Sequence, residues 1–489
     1  MIRNDESVVA LKHTIVEALA RYLWNDVLNE EKIEELIYQI SPGPHASWRC
    51  CVYKEREILR WRIRLAQNQN ADIKGDTDNI IQVIKPACEE CPIASYTVTD
   101  NCRLCLGKAC LNACRFDAIY IDGNRTRIDV NKCKECGMCA NACPYGAIAH
   151  LVRPCKKVCP VDAIYYDEDG ICIIDEDKCI RCGKCIHNCP FGAIDSKVTV
   201  LDIIEAIKEG KEVYAMLAPA TEGQFGDGVS MAVLRAALKK VGFKDAVEVG
   251  LGGDMTAAYE SEEWSEAYSD GRKMTTSCCP AFINLLKKHY PKVYEENMST
   301  IVSPMCAVSR YIKALHPDAI TVFIGPCIAK KSEVKEMGIE GNADHALTYG
   351  EMTSLLRSRD IEIVPVEEDY QEASLMGKNF AVSGGVAEAV MSCMRERGQD
   401  TSGLNIRRAN GGKECVVAAT LLNAGKLPED FVEGMACEGG CIGGPSRHEM
   451  PAKTMAVRKK LQEKADERSV LENLKNYPMD KFSMNRDNR

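Results

Sequence analysis

Apolar positions near the start of the chain recur every three or four residues: Val8, Leu11, Ile15, Leu19 and Leu23, then Ile33, Leu36 and Ile37. This spacing predicts a small helical N-terminal segment over residues 1–85, interrupted at Pro42-Gly43-Pro44. Between 86 and 197 the helical period is lost and a short unit repeats instead. Pro144-Tyr145-Gly146-Ala147-Ile148 returns as Pro190-Phe191-Gly192-Ala193-Ile194, and Asp117-Ala118-Ile119-Tyr120 returns as Asp162-Ala163-Ile164-Tyr165. Each unit reads as a loop, a short helix and a short hairpin. From 198 to 489 the pattern changes again. β-rich runs at 213–217, 246–249 and 320–324 alternate with helical runs at 229–241 and 281–290, which predicts an α/β domain with its strands buried by helices. The tail from 451 reads as charged and helical at first, then polar.

Composition sharpens this picture. A chain of 489 residues holds several units, and a net charge of −9 disfavours a nucleic-acid partner. No apolar run follows a basic start, and no stretch approaches the roughly 18 apolar residues of a membrane span. The expectation is a soluble, cytoplasmic protein that binds neither nucleic acid nor membrane. The 27 cysteines decide the chemistry. In a reducing compartment, clustered thiols are metal ligands rather than disulfides. With eight histidines and no His-x-x-x-His pair, sulfur-only iron–sulfur sites are favoured over zinc.

Seventeen cysteines fall between 86 and 197. C-x2-C-x2-C-x3-C-P occurs at Cys133, Cys136, Cys139, Cys143 and again at Cys179, Cys182, Cys185, Cys189. Three closely spaced thiolates wrap one corner of a [4Fe–4S] cubane, and the fourth serves the other cluster of a pair. Pairing the halves assigns one cubane to Cys102, Cys105, Cys110 and Cys143, and a second to Cys133, Cys136, Cys139 and Cys114. A third takes Cys179, Cys182, Cys185 and Cys159. Cys155 and Cys189 then lack two partners, and the upstream pair Cys88 and Cys91 completes a fourth. This gives α+β ferredoxin-like domains at 86–150 and 151–197, the latter completed by Cys88 and Cys91. Cys172 fits no loop and reads as a small core residue.

Three segments mark the C-terminal domain: Thr276-Ser277-Cys278-Cys279-Pro280-Ala281-Phe282, Gly325-Pro326-Cys327-Ile328-Ala329-Lys330-Lys331-Ser332-Glu333, and Glu433 through Gly444 with Cys437 and Cys441. Cys437 and Cys441, four apart, are expected to share one side of a helical turn as two ligands of one cubane. Cys278 and Cys279 must point in opposite directions in an extended stretch, so one ligates and the other is a reactive thiol beside the metal. Pro280 suits the first turn of a helix aimed at an anionic cluster.

In this order the segments resemble the three motifs of the [FeFe]-hydrogenase (iron-only hydrogenase) catalytic domain, from about Val213 to Leu474, and the ferredoxin-like domains match that family's accessory modules. The resemblance implies an H-cluster: a [4Fe–4S] cubane bridged by a cysteine to a two-iron unit with carbon monoxide, cyanide and an azadithiolate. It implies Cys279, Cys327, Cys437 and Cys441 as ligands, Cys441 bridging. Cys278 matches a proton-passing thiol, its ordinary pKa of about 8.5 suiting exchange near neutrality. Lys330 matches a lysine that hydrogen-bonds a cyanide, with Glu333 orienting it. Met435 and Ala218-Pro219-Ala220 match the pocket lining. Glu260, Glu263 and Ser299 match the proton relay. The implied activity is reversible combination of protons and electrons to dihydrogen, served by ferredoxin or a similar one-electron carrier and by hydrogenase maturation proteins.

The chain departs from the best-studied members at Ala281-Phe282, Gly325, Pro445-Ser446-Arg447 and Met305, and Ala267 stands where the relay usually reaches an arginine. These changes resemble divergent, group B-like members. Two other readings compete. A non-catalytic iron–sulfur assembly relative need not keep Cys278, Lys330 or Glu333, and all three are present. A dihydrogen sensor usually carries an added signalling domain, and none is visible. Gly250-Leu251-Gly252-Gly253-Asp254 follows a strand but lacks the third glycine of a dinucleotide loop. Cys50 and Cys51 read as a free or buried pair, and Cys393 and Cys415 as core.

Overall fold

The computed structural model describes residues 4–486 apart from 76, 78, 89, 90, 92–94, 337, 367–369, 464 and 466. Two parallel sheets organise the C-terminal domain. In the first, Val213–Leu217 and Ile320–Ile324 pair at the centre, flanked by Asp245–Glu248 and His345–Leu347. In the second, Phe431–Met435 lies between Met274–Thr275 and Ile406–Asn410. The expected strands at 213–217 and 320–324 form as read; the third begins at Asp245 and gives way to a helix at Val249.

Alternation along the first sheet explains its burial on both sides. Tyr214 and Met216 face one core, and Val213, Ala215 and Leu217 face another. That second core also holds Ile15, Leu19, Leu36, Ile37, Leu59 and Ile63 from the N-terminal helices Asn4–Trp24, Glu30–Ile40 and Val52–Ala66. The N-terminal segment is therefore part of the layer that covers the sheet. Its boundary also moves: Ile81–Val83, read as helical territory, is a strand paired antiparallel with Ile194–Ser196 of the second ferredoxin-like unit.

The ferredoxin-like units are built on one turn used four times. Ala118, Ala147, Ala163 and Ala193 each donate a backbone N–H to the sulfur four residues earlier, of Cys114, Cys143, Cys159 and Cys189, at 3.3–3.4 Å. The residue before each alanine has positive φ: Asp117, Gly146, Asp162 and Gly192. Aspartate and glycine tolerate that region best, which accounts for the recurring Asp-Ala-Ile and Gly-Ala-Ile.

Gly250-Leu251-Gly252-Gly253 does not form a phosphate loop. It lies in the first turns of the 21-residue helix Val249–Ser269, against the helix Pro304–Leu315. A Cβ on Gly252 would stand 2.1 Å from the Pro304 carbonyl oxygen, so the two helices cross where only a bare backbone fits. Among the described residues no helix is long and apolar enough to cross a membrane.

Gly252→Ala tests this crossing. Helix propensity alone favours alanine by about 1 kcal/mol. The collision should override it and lower stability by about 1–3 kcal/mol, read as a fall in the thermal midpoint of the unfolding curve. A raised midpoint would show that the helices are not in contact there.

Candidate active site and thiol sites

Four parallel strands deliver the site from their carboxyl ends, where open α/β sheets bind ligands. Val213–Leu217 runs into Ala218-Pro219-Ala220, Met274–Thr275 into Ser277-Cys278-Cys279, Ile320–Ile324 into Pro326-Cys327, and Phe431–Met435 into Ala436-Cys437. Together they line one cavity. Its wall holds Cys278, Cys279, Cys327, Cys437 and Cys441, and also Lys330, Met305, Met435 and the Ala218-Pro219-Ala220 loop. Cys278 packs into one core and Cys279 into another, as expected of neighbours in extended chain. Pro280 opens the helix Pro280–His289 with Cys279 as its N-cap residue.

One geometric expectation is corrected. Cys437 and Cys441 do not sit on a helical turn. Gly439 and Gly440 between them have φ of +81° and +86°, and a Cβ on Gly440 would lie 2.6 Å from the Ser383 nitrogen. The two thiols reach the cavity across a tight left-handed turn that requires glycine.

The donor set fits a cofactor larger than one ion. Among the described residues no three Cys, His, Asp or Glu side chains converge closely enough for a single metal ion. The thiols instead ring a void from different strand ends. Burial pushes the Cys327 thiol up to about 12 and the Cys437 thiol well above its usual range. Such thiols become good thiolates only beside a strong positive charge, which an iron cluster carries. Burial, then Glu260 and Cys279, raises the Cys278 thiol well above its usual range.

Lys330 is fixed as expected. Its ammonium donates to Glu333 Oε2 at 2.5 Å and to Ser303 Oγ at 2.9 Å, while Ser303 donates to the other Glu333 oxygen. Burial alone would lower the lysine, but Glu333 more than reverses this, so Lys330 is a buried cation at the cavity wall.

The relay residues also come together. Ser299 Oγ donates to Glu263 Oε2 at 2.6 Å, and the Thr300 amide and hydroxyl hold the other side of that carboxylate. Glu260 lies one turn nearer the cavity, fully buried. The Ser277 amide donates to Glu260 Oε1 at 3.3 Å. Ser277 Oγ has one proton for two neighbours, the Ile301 carbonyl at 2.5 Å and Glu260 Oε1 at 3.2 Å. The hydroxyl can donate to either of them. Burial, then the Glu263 charge, raises Glu260 to about 8, so it is largely neutral at neutral pH. Glu262 faces solvent and pairs with Arg397 at 2.8 Å. Ala267 is buried. Sequence reasoning missed Ser277, Thr300 and Ser303; Ser303 carried one signal, a serine before Pro304 where it caps a helix.

Comparison with known proteins agrees with this geometry. Residues 211–445 match the family model for the iron only hydrogenase large subunit, C-terminal domain. The C-terminal domain is an iron-only hydrogenase large subunit domain. Residues 149–200 match the LdpA Fe-S cluster-binding domain and 126–149 a 4Fe-4S binding domain. The chain is 28% identical over 381 residues to the periplasmic [Fe] hydrogenase large subunit of Nitratidesulfovibrio vulgaris, covering 66% of this chain and 86% of that protein. It is 27% identical over 380 residues to iron hydrogenase 1 of Clostridium pasteurianum, covering 66% of this chain and 65% of that one. An apo [FeFe]-hydrogenase of Chlamydomonas reinhardtii superposes with a TM-score of 0.46 at 22% identity, covering 55% of this chain and 91% of that one.

Next to the hydrogenase domain the thiol sets fall where the pairing placed them. Cys102, Cys105, Cys110 and Cys143 line one void, Cys114, Cys133, Cys136 and Cys139 a second, and Cys159, Cys179, Cys182 and Cys185 a third. The third abuts the active site: Val161, Ile180 and Cys182 share a packed cluster with Ala281, Cys279 and Cys327. Cys88, Cys155 and Cys189 pack in one cluster, and Cys91 lies within electrostatic reach of all three. Cys172, read as a plain core residue, belongs to the same group. Its amide donates to Cys88 Sγ at 3.3 Å, and its thiol donates to Cys155. That bond, helped by Tyr166 and Arg153, brings the Cys155 thiol down to about 6 against its burial. Cys393 and Cys415 are buried core; Cys50 and Cys51 are exposed and free.

Iron counting separates the thiols of the fourth group. Cys155→Ala should lower bound iron by about four per chain, one cubane. Cys172→Ala should leave the count unchanged. The reverse pattern would make Cys172 the ligand.

Proposed function

We propose that this chain is an iron-only hydrogenase that reversibly converts two protons and two electrons into dihydrogen, as a cytoplasmic and divergent, group B-like member of its family. The observation that carries this reading is the meeting of four thiols, a fifth thiol and a buried carboxyl path at one cavity. Cys279, Cys327, Cys437 and Cys441 would hold the cubane of an H-cluster. When bound, that group supplies the redox chemistry and the open iron at which dihydrogen reacts. The four upstream thiol sets would hold [4Fe–4S] clusters, whose chemistry is the passage of single electrons. Ferredoxin or a similar carrier fits as the electron partner, and dedicated maturation proteins as the source of the two-iron unit.

The remaining work falls to side chains. Glu263 sits at the outer end of the path, its carboxylate fixed by Ser299 and Thr300. Ser299 lies between the two glutamates and can hand a proton from Glu263 to Glu260. Neutral at neutral pH, Glu260 is poised to give that proton inward and be recharged from outside. Cys278 sits between Glu260 and the cavity, a thiol in place to take a proton from one side and pass it to the other. A general acid works best when its pKa lies near the working pH, and Glu260 meets that condition. Lys330, anchored by Glu333 and Ser303, presents an N–H to an anionic ligand in the pocket. Ala218-Pro219-Ala220, Met305 and Met435 exclude water from the reacting face.

Infrared spectroscopy of protein co-expressed with maturation factors is the first test. Carbon monoxide and cyanide bands that shift under dihydrogen are expected, with roughly 22 irons per chain from the ligand count. Abundant iron without those bands would overturn the enzyme reading in favour of electron transfer or assembly. Cys278→Ala should keep the bands and the iron but slow turnover by at least about a hundredfold, the scale of losing a positioned acid. Unimpaired turnover in that variant would remove Cys278 from the path.

A further inference from the structure

The end of the chain, read from sequence as a polar tail, is buried against the proton path. Residues 484–486 run antiparallel to 300–302. The Val302 amide donates to the Met484 carbonyl at 2.9 Å, Asn485 bridges Ile301, and the Arg486 amide donates to the Thr300 carbonyl at 2.7 Å. Arg310 locks this strand by donating to the Ser483 and Asn485 carbonyls at 2.6 and 2.8 Å. The segment so gripped is the one that supplies Ser299, Thr300 and the Ile301 carbonyl to Glu263 and Ser277.

The tail also delivers a cation. Arg486 is 7% exposed, and its guanidinium donates to the Ser277 carbonyl at 3.3 Å. Its buried Nε has no hydrogen-bond partner, and no described carboxylate forms an ion pair with it. Ser277 is the same residue whose amide and hydroxyl meet Glu260, and Glu260 Oε2 is likewise buried without a partner. A buried guanidinium lacking a carboxylate is costly, so its place needs a reason. The ionisable groups bearing on Glu260 are Glu263 on its own helix and Cys278 on the cavity side; Arg486 meets the Ser277 that bonds Glu260, and its charge also reaches Cys306.

Resting on the proton path above, we propose that Arg486 is its positioning residue: it anchors Ser277 against Glu260 and supplies the positive charge faced by Glu260 whenever it has given up its proton. The C-terminal strand thus brings a cation to Ser277, the partner of the inner glutamate, while position 267 of the helix holds an alanine. At effective dielectric constants near 20, a unit charge several ångströms away is worth a pKa change of order one.

The test uses the intact, matured enzyme and follows the infrared carboxyl stretch of neutral Glu260, identified as the band that Glu260→Gln abolishes. In Arg486→Gln that band should persist to a pH about one unit higher than in the wild type, because the lost charge no longer favours the carboxylate. Turnover should fall about tenfold, matching one pH unit. Arg486→Lys keeps the charge and should hold the band near its wild-type pH. A wild-type band position in Arg486→Gln, or equal displacement in both variants, would overturn the proposal. These readings do not depend on turnover. Full turnover in Glu260→Gln would instead overturn the path itself, and this proposal with it.

Discussion

A cubane-sized group in a dry pocket needs sulfur donors on several sides of one void, and in the C-terminal domain no single loop supplies them. Much of the architecture follows from that requirement. Cys279, Cys327 and Cys437 each stand just past a parallel strand, so the sheets hold three thiols in place by register alone. Cys441 returns to the same void through two glycines with positive φ. The ferredoxin-like units solve the same problem locally. There a Cys, a left-handed Asp or Gly and an Ala amide make a self-contained turn, and Cys114 and Cys143 of paired turns each line the other half's void. One protein thus shows two ways of gathering thiols: by short-range turn chemistry where clusters are near the surface, and by sheet topology where the site is deep.

The dry pocket sets a second constraint, since every nearby charge must be compensated or abolished. Lys330 is held by Glu333 and Ser303. Lys378 and Arg458 share Glu222, and Arg458 also donates to the Pro219 carbonyl, so an ion cluster backs the Ala218-Pro219-Ala220 loop. Asp254 is satisfied by Ser374 and Asn473. Glu260 takes the other course and stays neutral. Arg458 and Arg486 both come from residues beyond 450, and each buttresses one wall of the site. The C-terminal tail therefore works as a brace around the pocket.

The legible parts of the sequence were those in which chemistry is local. The Cys-x-x-Cys spacings located three thiol voids, because a turn of that length has few conformations. Strands at 213–217 and 320–324 were readable because both faces are buried and the run is continuously apolar. What failed depended on contacts distant in sequence. Cys437 and Cys441 sit four apart, a helical interval, yet two glycines impose a different turn. Cys172 looked unattached because its partners, Cys88 and Cys155, lie far from it in the chain. Arg486 sits in a stretch with the composition of a solvated tail, and only pairing with 300–302 buries it.

The N-terminal helices deserve the same physical reading, because sequence offered no chemistry for them. Lys12 bonds Asp195 of the second ferredoxin-like unit at 2.7 Å and lies 3.3 Å from Glu351, which Lys331 contacts at 2.8 Å. Arg62 reaches the Gly192 carbonyl and Asp195. Burial alone would raise Glu351, yet Lys331 and Lys12 bring it down to about 2, so it is a carboxylate at neutral pH. Buried ion networks add little net stability, but they tolerate few alternative registers. This one joins the helical segment, a cluster-binding unit and the helix Ala329–Glu336 that carries Lys330. Electron transfer needs fixed spacing between its sites, and proton delivery needs a fixed pocket. By filling the open face of the sheet and closing this network, the N-terminal helices hold the third thiol set against the cavity wall.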